Sequence, residues 1–172
     1  MTAGSVPSVL VAGIGNIFFR DDGFGPAVVS QLQSVALPEG VRVIDYGIRG
    51  LHLSYDLLDG VDALIVVDAV PGPPDTAAGT VLTLEIDPDN VGEAPMDAHS
   101  LSPAAVFARV DTLGGRLPLT YIVGCVPADV DEGIGLSEPV TAAVLRGAAA
   151  VLGLIESLVP QRVGVSTGRA GE

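Results

Sequence analysis

Two aspartates and a histidine are the side chains best placed to do chemistry. Asp22 lies in the glycine-rich stretch Gly13-Ile14-Gly15-Asn16-Ile17-Phe18-Phe19-Arg20-Asp21-Asp22-Gly23-Phe24-Gly25, Asp68 closes the apolar run Leu64-Ile65-Val66-Val67, and His99 sits in Met96-Asp97-Ala98-His99-Ser100. Two carboxylate oxygens and an imidazole nitrogen make an incomplete set for a borderline divalent ion such as Ni2+ or Zn2+, leaving positions open for substrate or water. Each residue also has a plainer reading. Asp21 or Asp22, just ahead of a helix, would serve as an N-cap and complement the helix dipole. One cap is enough for that job, which leaves the other carboxylate free to face a crevice. A strand-end aspartate is a common turn former, and a lone loop histidine is commonly just solvated.

Other chemistries find less support. The glycine stretch superficially matches a dinucleotide-binding loop, but Phe18 stands where the third glycine would allow close helix packing. Asp21 and Asp22 would also place negative charge where phosphates seek a helix N-terminus. His52, near the start of a helix in Gly50-Leu51-His52-Leu53, reads as a surface residue, and Cys125, inside an apolar strand, as an inert buried thiol. No Gly-x-Ser-x-Gly nucleophile elbow is present. With 21 acidic against 8 basic residues and a net charge of -13, the chain is a poor partner for nucleic acid, whose binding rests on Lys and Arg contacts.

The elements that must position these groups can be read from hydrophobic pattern. The 172 residues, 48% of them apolar and 17% charged, fit one folded domain. Strands are expected at Ser8 to Gly13, Val41 to Asp45, Ala63 to Val67, Thr80 to Ile86 and Leu119 to Val126. Helical spacing follows Pro26 and Gly50, and Ser102-Pro103 and Ser137-Glu138-Pro139 resemble capped starts of two further helices. The alternation predicts an α/β three-layer sandwich, in which a mostly parallel, twisted five-stranded sheet carries helices on both faces. Continuous apolarity marks Ala63 to Val67 as central. The alternating Thr80 to Ile86, reached by a Pro/Gly-rich loop too short for a crossover helix, is expected as an antiparallel edge. In a 2-1-3 strand order Asp22 and Asp68 would face each other across the crevice at the sheet's carboxyl end.

Residues 1–159 are expected as the single domain and the polar, aperiodic 160–172 as a loosely ordered tail. Met1 to Ser8 has no basic leader pattern, and the apolar run Leu145 to Leu158 shows helical amphipathicity and reads as a packing helix rather than a membrane span. With one cysteine and no disulfide framework, a cytoplasmic protein is expected. A monomer is expected because no long exposed apolar element is evident.

The Gly-Ile-Gly-Asn-x4-Asp-Asp-Gly-Phe-Gly opening, Asp45-Tyr46-Gly47-Ile48-Arg49-Gly50, Val67-Asp68-Ala69, the His99 loop, and Gly124-Cys125-Val126-Pro127 followed by Gly133-Ile134-Gly135-Leu136-Ser137 together resemble the hydrogenase maturation protease family, in that family's order, over about residues 8 to 159. The resemblance implies an endopeptidase that removes a C-terminal extension from a [NiFe]-hydrogenase large-subunit precursor after nickel insertion. It implies a metal site from Asp22, Asp68 and His99, with nickel brought by the precursor and no organic cofactor. Some members carry Glu at the first position, where Asp22 has a shorter reach. Water could be activated by the ion or by a carboxylate base, most simply Asp22. Amides of the Gly47 to Gly50 turn could pair with substrate or with a developing oxyanion. The competing readings are a non-catalytic metal- or nucleotide-binding module and a broad peptidase with its own zinc.

Overall fold

The computed structural model describes residues 5–89 and 103–160. Five strands and four helices follow in the order β1 (Val9–Ile14), α1 (Phe24–Leu32), β2 (Val41–Gly47), α2 (Gly50–Leu58), β3 (Ala63–Ala69), β4 (Val81–Ile86), α3 (Pro103–Thr112), β5 (Leu119–Cys125) and α4 (Glu138–Leu158), with a 3-10 turn Arg20–Gly23 leading into α1. The sheet order is β2-β1-β3-β5-β4, parallel except for the antiparallel β4–β5 pair. The expected fold class and the 2-1-3 arrangement both hold.

Strand parity divides the core. Alternate strand residues point to opposite faces. Val9 and Val11 of β1, Ala63, Ile65 and Val67 of β3, and Val123 and Cys125 of β5 therefore pack with Phe24, Val28 and Leu32 of α1 and Val140, Ala143, Val151 and Ile155 of α4. Leu10, Ala12, Leu64, Val66 and Ile122 take the other face, against Leu53 and Leu57 of α2 and Val106, Phe107 and Val110 of α3. Being covered on both sides is why β3 reads as continuously apolar. Among the described helices only α4 is long and apolar enough to cross a membrane, yet one of its faces is buried in the first cluster, as a packing helix requires.

Glycines set how closely α1 approaches the sheet. A Cβ at Gly13 would meet Val29 Cγ2 at 2.6 Å, and one at Gly25 would collide with the carbonyl oxygens of Ile14 and Val67. The glycine signature thus serves helix-on-strand contact. The tail beyond residue 160 lies outside the described residues.

Candidate active site

The crevice opens where the sheet comes apart. Pairing of β1 with β3 stops at Gly13 and Val67, and the β1–β2 register shifts between Gly13 and Ile14. Asp68, one residue further along β3, keeps Gly124 of β5 on one side and has no β1 partner on the other. This is the topological switch point, where open α/β sheets bind ligands. A crevice of about 570 Å³ lies here, walled by the loops that follow β1, β2, β3 and β5, and both Asp22 and Asp68 line it.

Asp22 is held by its own loop. The Asn16 N–H donates to Asp22 Oδ2 at 2.7 Å, and the Asp22 N–H donates to Phe19 O at 3.0 Å. Gly15, at φ +139°, is required because a Cβ there would fall on the Asp22 carbonyl oxygen. A carboxylate of the protein thereby takes an amide that a dinucleotide loop would offer to phosphate. Asp68 is only 7% exposed. Burial first, and then the charge of Asp22, push its carboxyl well above the ordinary aspartate range, against the opposing Ala69 N–H. The structure thus brings together two of the three expected site residues. His99, four residues ahead of Pro103 in the sequence, lies outside the described residues. Among the described residues no cluster of three or more potential metal ligands forms. Two carboxylates are a donor set suited to a divalent ion that brings further ligands with it.

The capping expectation is corrected. Gly23 is the N-cap of α1, with no side-chain cap bond. Asp21 instead is fully buried and gathers distant chain. Its Oδ2 accepts the Ala128 N–H (2.8 Å), the Asp129 N–H (3.0 Å) and the Ser137 hydroxyl (2.8 Å), and its Oδ1 accepts the Ser137 N–H (2.7 Å). Ser137 does stand at the N-cap of α4, but makes no side-chain cap bond; its hydroxyl is given to Asp21. Burial pulls the Asp21 carboxyl upward, and these donors outweigh it, holding it below the ordinary value.

Asp21→Ala would strand three backbone N–H groups, each costing about 1–3 kcal/mol if left unsatisfied. A loss of roughly 3–5 kcal/mol is expected in urea denaturation. Because the folded-state pKa is depressed, the stabilisation from Asp21 is present above the unfolded value of about 3.9 and is lost as pH falls through the folded one. Wild type should therefore lose an acid-dependent component of stability that the variant lacks.

The amides after β2 are less available than the sequence alone implies. The Gly47 N–H donates to Asp45 Oδ1 at 2.8 Å and the Arg49 N–H to Tyr46 O at 2.7 Å. The Ile48 N–H, in the crevice wall, is hydrogen-bonded to none of the described residues. His52 is exposed on α2, as expected. Cys125 is buried, and burial together with the Asp21 charge pushes its thiol up to about 11, leaving it unreactive at neutral pH.

Comparison with known proteins agrees with this architecture. A family model described as hydrogenase maturation protease matches residues 26–154. The hydrogenase expression/formation protein HupM of Azotobacter chroococcum mcd 1 is 32% identical over 173 residues, covering 98% of this chain and 79% of the relative. The hydrogenase 2 maturation protease of Escherichia coli K12 is 30% identical over 143 residues, covering 79% and 83%. The solved structure of the hydrogenase maturating endopeptidase HybD from E. coli superposes with a TM-score of 0.75 at 28% identity, covering 87% of this chain and 93% of that one. By these matches the chain belongs to the hydrogenase maturation protease family, the peptide-bond hydrolases that mature hydrogenases.

Proposed function

We propose that this chain removes the C-terminal extension of a [NiFe]-hydrogenase large-subunit precursor that already carries nickel, with Asp22, Asp68 and His99 as its contacts to that ion. The observation that carries this reading is the shared crevice of Asp22 and Asp68, in which a buried carboxyl faces another carboxylate and no Lys, Arg or His of the described residues lines the wall. Such a pair is costly when both groups are ionised and gains most when a dication arrives. In the free protein, burial and the charge of Asp22 disfavour the ionised form of Asp68. Presentation of the precursor's nickel would offset that repulsion and make both carboxylates donors, so the site would report whether the substrate is metal-loaded. Nickel is then part of the substrate.

The remaining chemistry is a water addition to the scissile carbonyl. The substrate's nickel would supply Lewis acidity. Asp22, fixed by the Asn16 amide, is the group that would accept the water proton if a carboxylate is the base, and the Ile48 N–H, with no partner among the described residues, is one crevice amide that could meet a developing oxyanion. A cytoplasmic enzyme accords with the single, buried cysteine.

Intact-mass analysis of a nickel-loaded precursor checks this. The wild-type chain should yield a precursor shortened at its C-terminus, while Asp22→Ala, Asp68→Ala and His99→Ala should leave it full-length. Processing by all three variants would remove these residues from the reaction.

A further inference from the structure

The sequence suggests no long exposed apolar element. Two loops more than 100 positions apart nevertheless assemble an apolar rim. Ile17, Phe18 and Phe19 follow β1, and Val130 and Ile134 follow β5; all are exposed, Phe18 at 57% and Ile134 at 79%. The rim adjoins the crevice directly, since Phe19 and Val130 also line it.

Backbone contacts fix these side chains outward. The Gly133 N–H donates to Phe18 O at 2.8 Å and the Arg20 N–H to Gly133 O at 3.0 Å, forming a parallel bridge between Phe19 and Gly133. Arg20 is held at φ +45°, a conformation uncommon outside glycine, and pairs with Asp129 at 3.3 Å. Asp21 ties the same two loops from within. The rim is therefore a fixed surface. Single exposed apolar side chains are ordinary, whereas five carried on two bridged loops, two of them lining a cleft, mark a place of contact.

We infer that this apolar collar docks the folded body of the large-subunit precursor, a polypeptide surface with complementary apolar side chains, outside the cleavage crevice. The inference rests on the proposed function. Continuity identifies the occupant: a polypeptide whose scissile bond reaches Asp22 and Asp68 enters a crevice lined by Phe19 and Val130, so the collar and the crevice serve one molecule. A second copy of this chain is disfavoured by a net charge of -13 on each, which repels like molecules.

The experiment uses nickel-loaded precursor, wild type and the double variant Phe18→Ser with Ile134→Ser, its fold checked by circular dichroism. Binding and steady-state cleavage are measured, with sedimentation of each protein alone. Wild type that binds and cleaves, beside a monomeric variant with KM raised at least tenfold and kcat reduced far less, is the expected result. Equal binding and KM in the variant would overturn the collar while leaving the cleavage reading standing. A wild type that neither binds nor cleaves would overturn both. A wild-type dimer that the double substitution dissociates would overturn the docking assignment in favour of self-association.

Discussion

Asp68→Asn should lower the cleavage rate by about 10³-fold or more while making the free protein more stable. The two effects share one cause. Burial and the neighbouring Asp22 raise the Asp68 pKa, so between the unfolded value of about 3.9 and the raised folded value the native state binds more protons than the unfolded one. Stability then falls as pH rises through that window, and above it the chain carries the full penalty of an ionised, poorly solvated carboxylate. An amide of nearly the same shape accepts the Ala69 N–H without that penalty. Melting at neutral pH should rise by roughly 2–4 °C, the shift that about 1 kcal/mol produces in a domain of this size. The gain should shrink as pH falls toward the unfolded value of about 3.9 and vanish well below it, where wild-type Asp68 is protonated in both states. Activity suffers because a neutral amide is a poor ligand and no base. An Asp68→Asn protein with unchanged melting and normal cleavage would show that the buried carboxylate is neither strained nor used.

Gly25→Ala should be among the most damaging single-methyl additions in the chain. The new Cβ would press on the carbonyl oxygens of Ile14 and Val67 and lie 2.8 Å from the Ile14 nitrogen, all of them backbone atoms of β1 and β3. Side chains can rotate away from an intruding methyl, but two paired strands move only by giving up sheet or helix packing. A cost of at least ~4 kcal/mol is expected, at the high end for point substitutions, with melting lowered by roughly 10 °C. The crevice would widen as well, since Val67 immediately precedes Asp68. Gly153→Ala is the control: Gly153 lies within α4 with nothing near its Cβ direction, so the same change should be neutral or stabilise by up to ~1 kcal/mol. Equal melting of the two variants would contradict the close-contact account of the glycine signature.

The sequence made the sheet legible because its information is local. Five runs with the right period and a loop too short for a crossover helix were enough for the strand assignments and the antiparallel edge. The meeting of Asp22 and Asp68 was legible for a related reason: Asp68 sits near the end of β3 and Asp22 in the loop that leaves β1, and these strands are neighbours in the 2-1-3 order. What escaped was set by distant partners. Asp21 and Asp22 are neighbours of identical type, and nothing local distinguishes them. The 3-10 turn sends Asp22 to the crevice and Asp21 inward, to donors 107 to 116 positions away. Ser137 reads as a helix cap because its position in the chain fits, but a buried carboxylate claims its hydroxyl. The apolar rim likewise exists only once the Ile17-to-Phe19 and Val130-to-Ile134 segments are zipped together.

Whether the acid pair reads the metal state of the substrate is decided by the cleavage rate of one large-subunit precursor by the wild-type chain, with the precursor prepared once with nickel verified in place and once nickel-free. Removal of the C-terminal extension from the loaded form, with at most a trace from the empty one, is expected. Equal processing of both forms would rule out metal sensing by this pair.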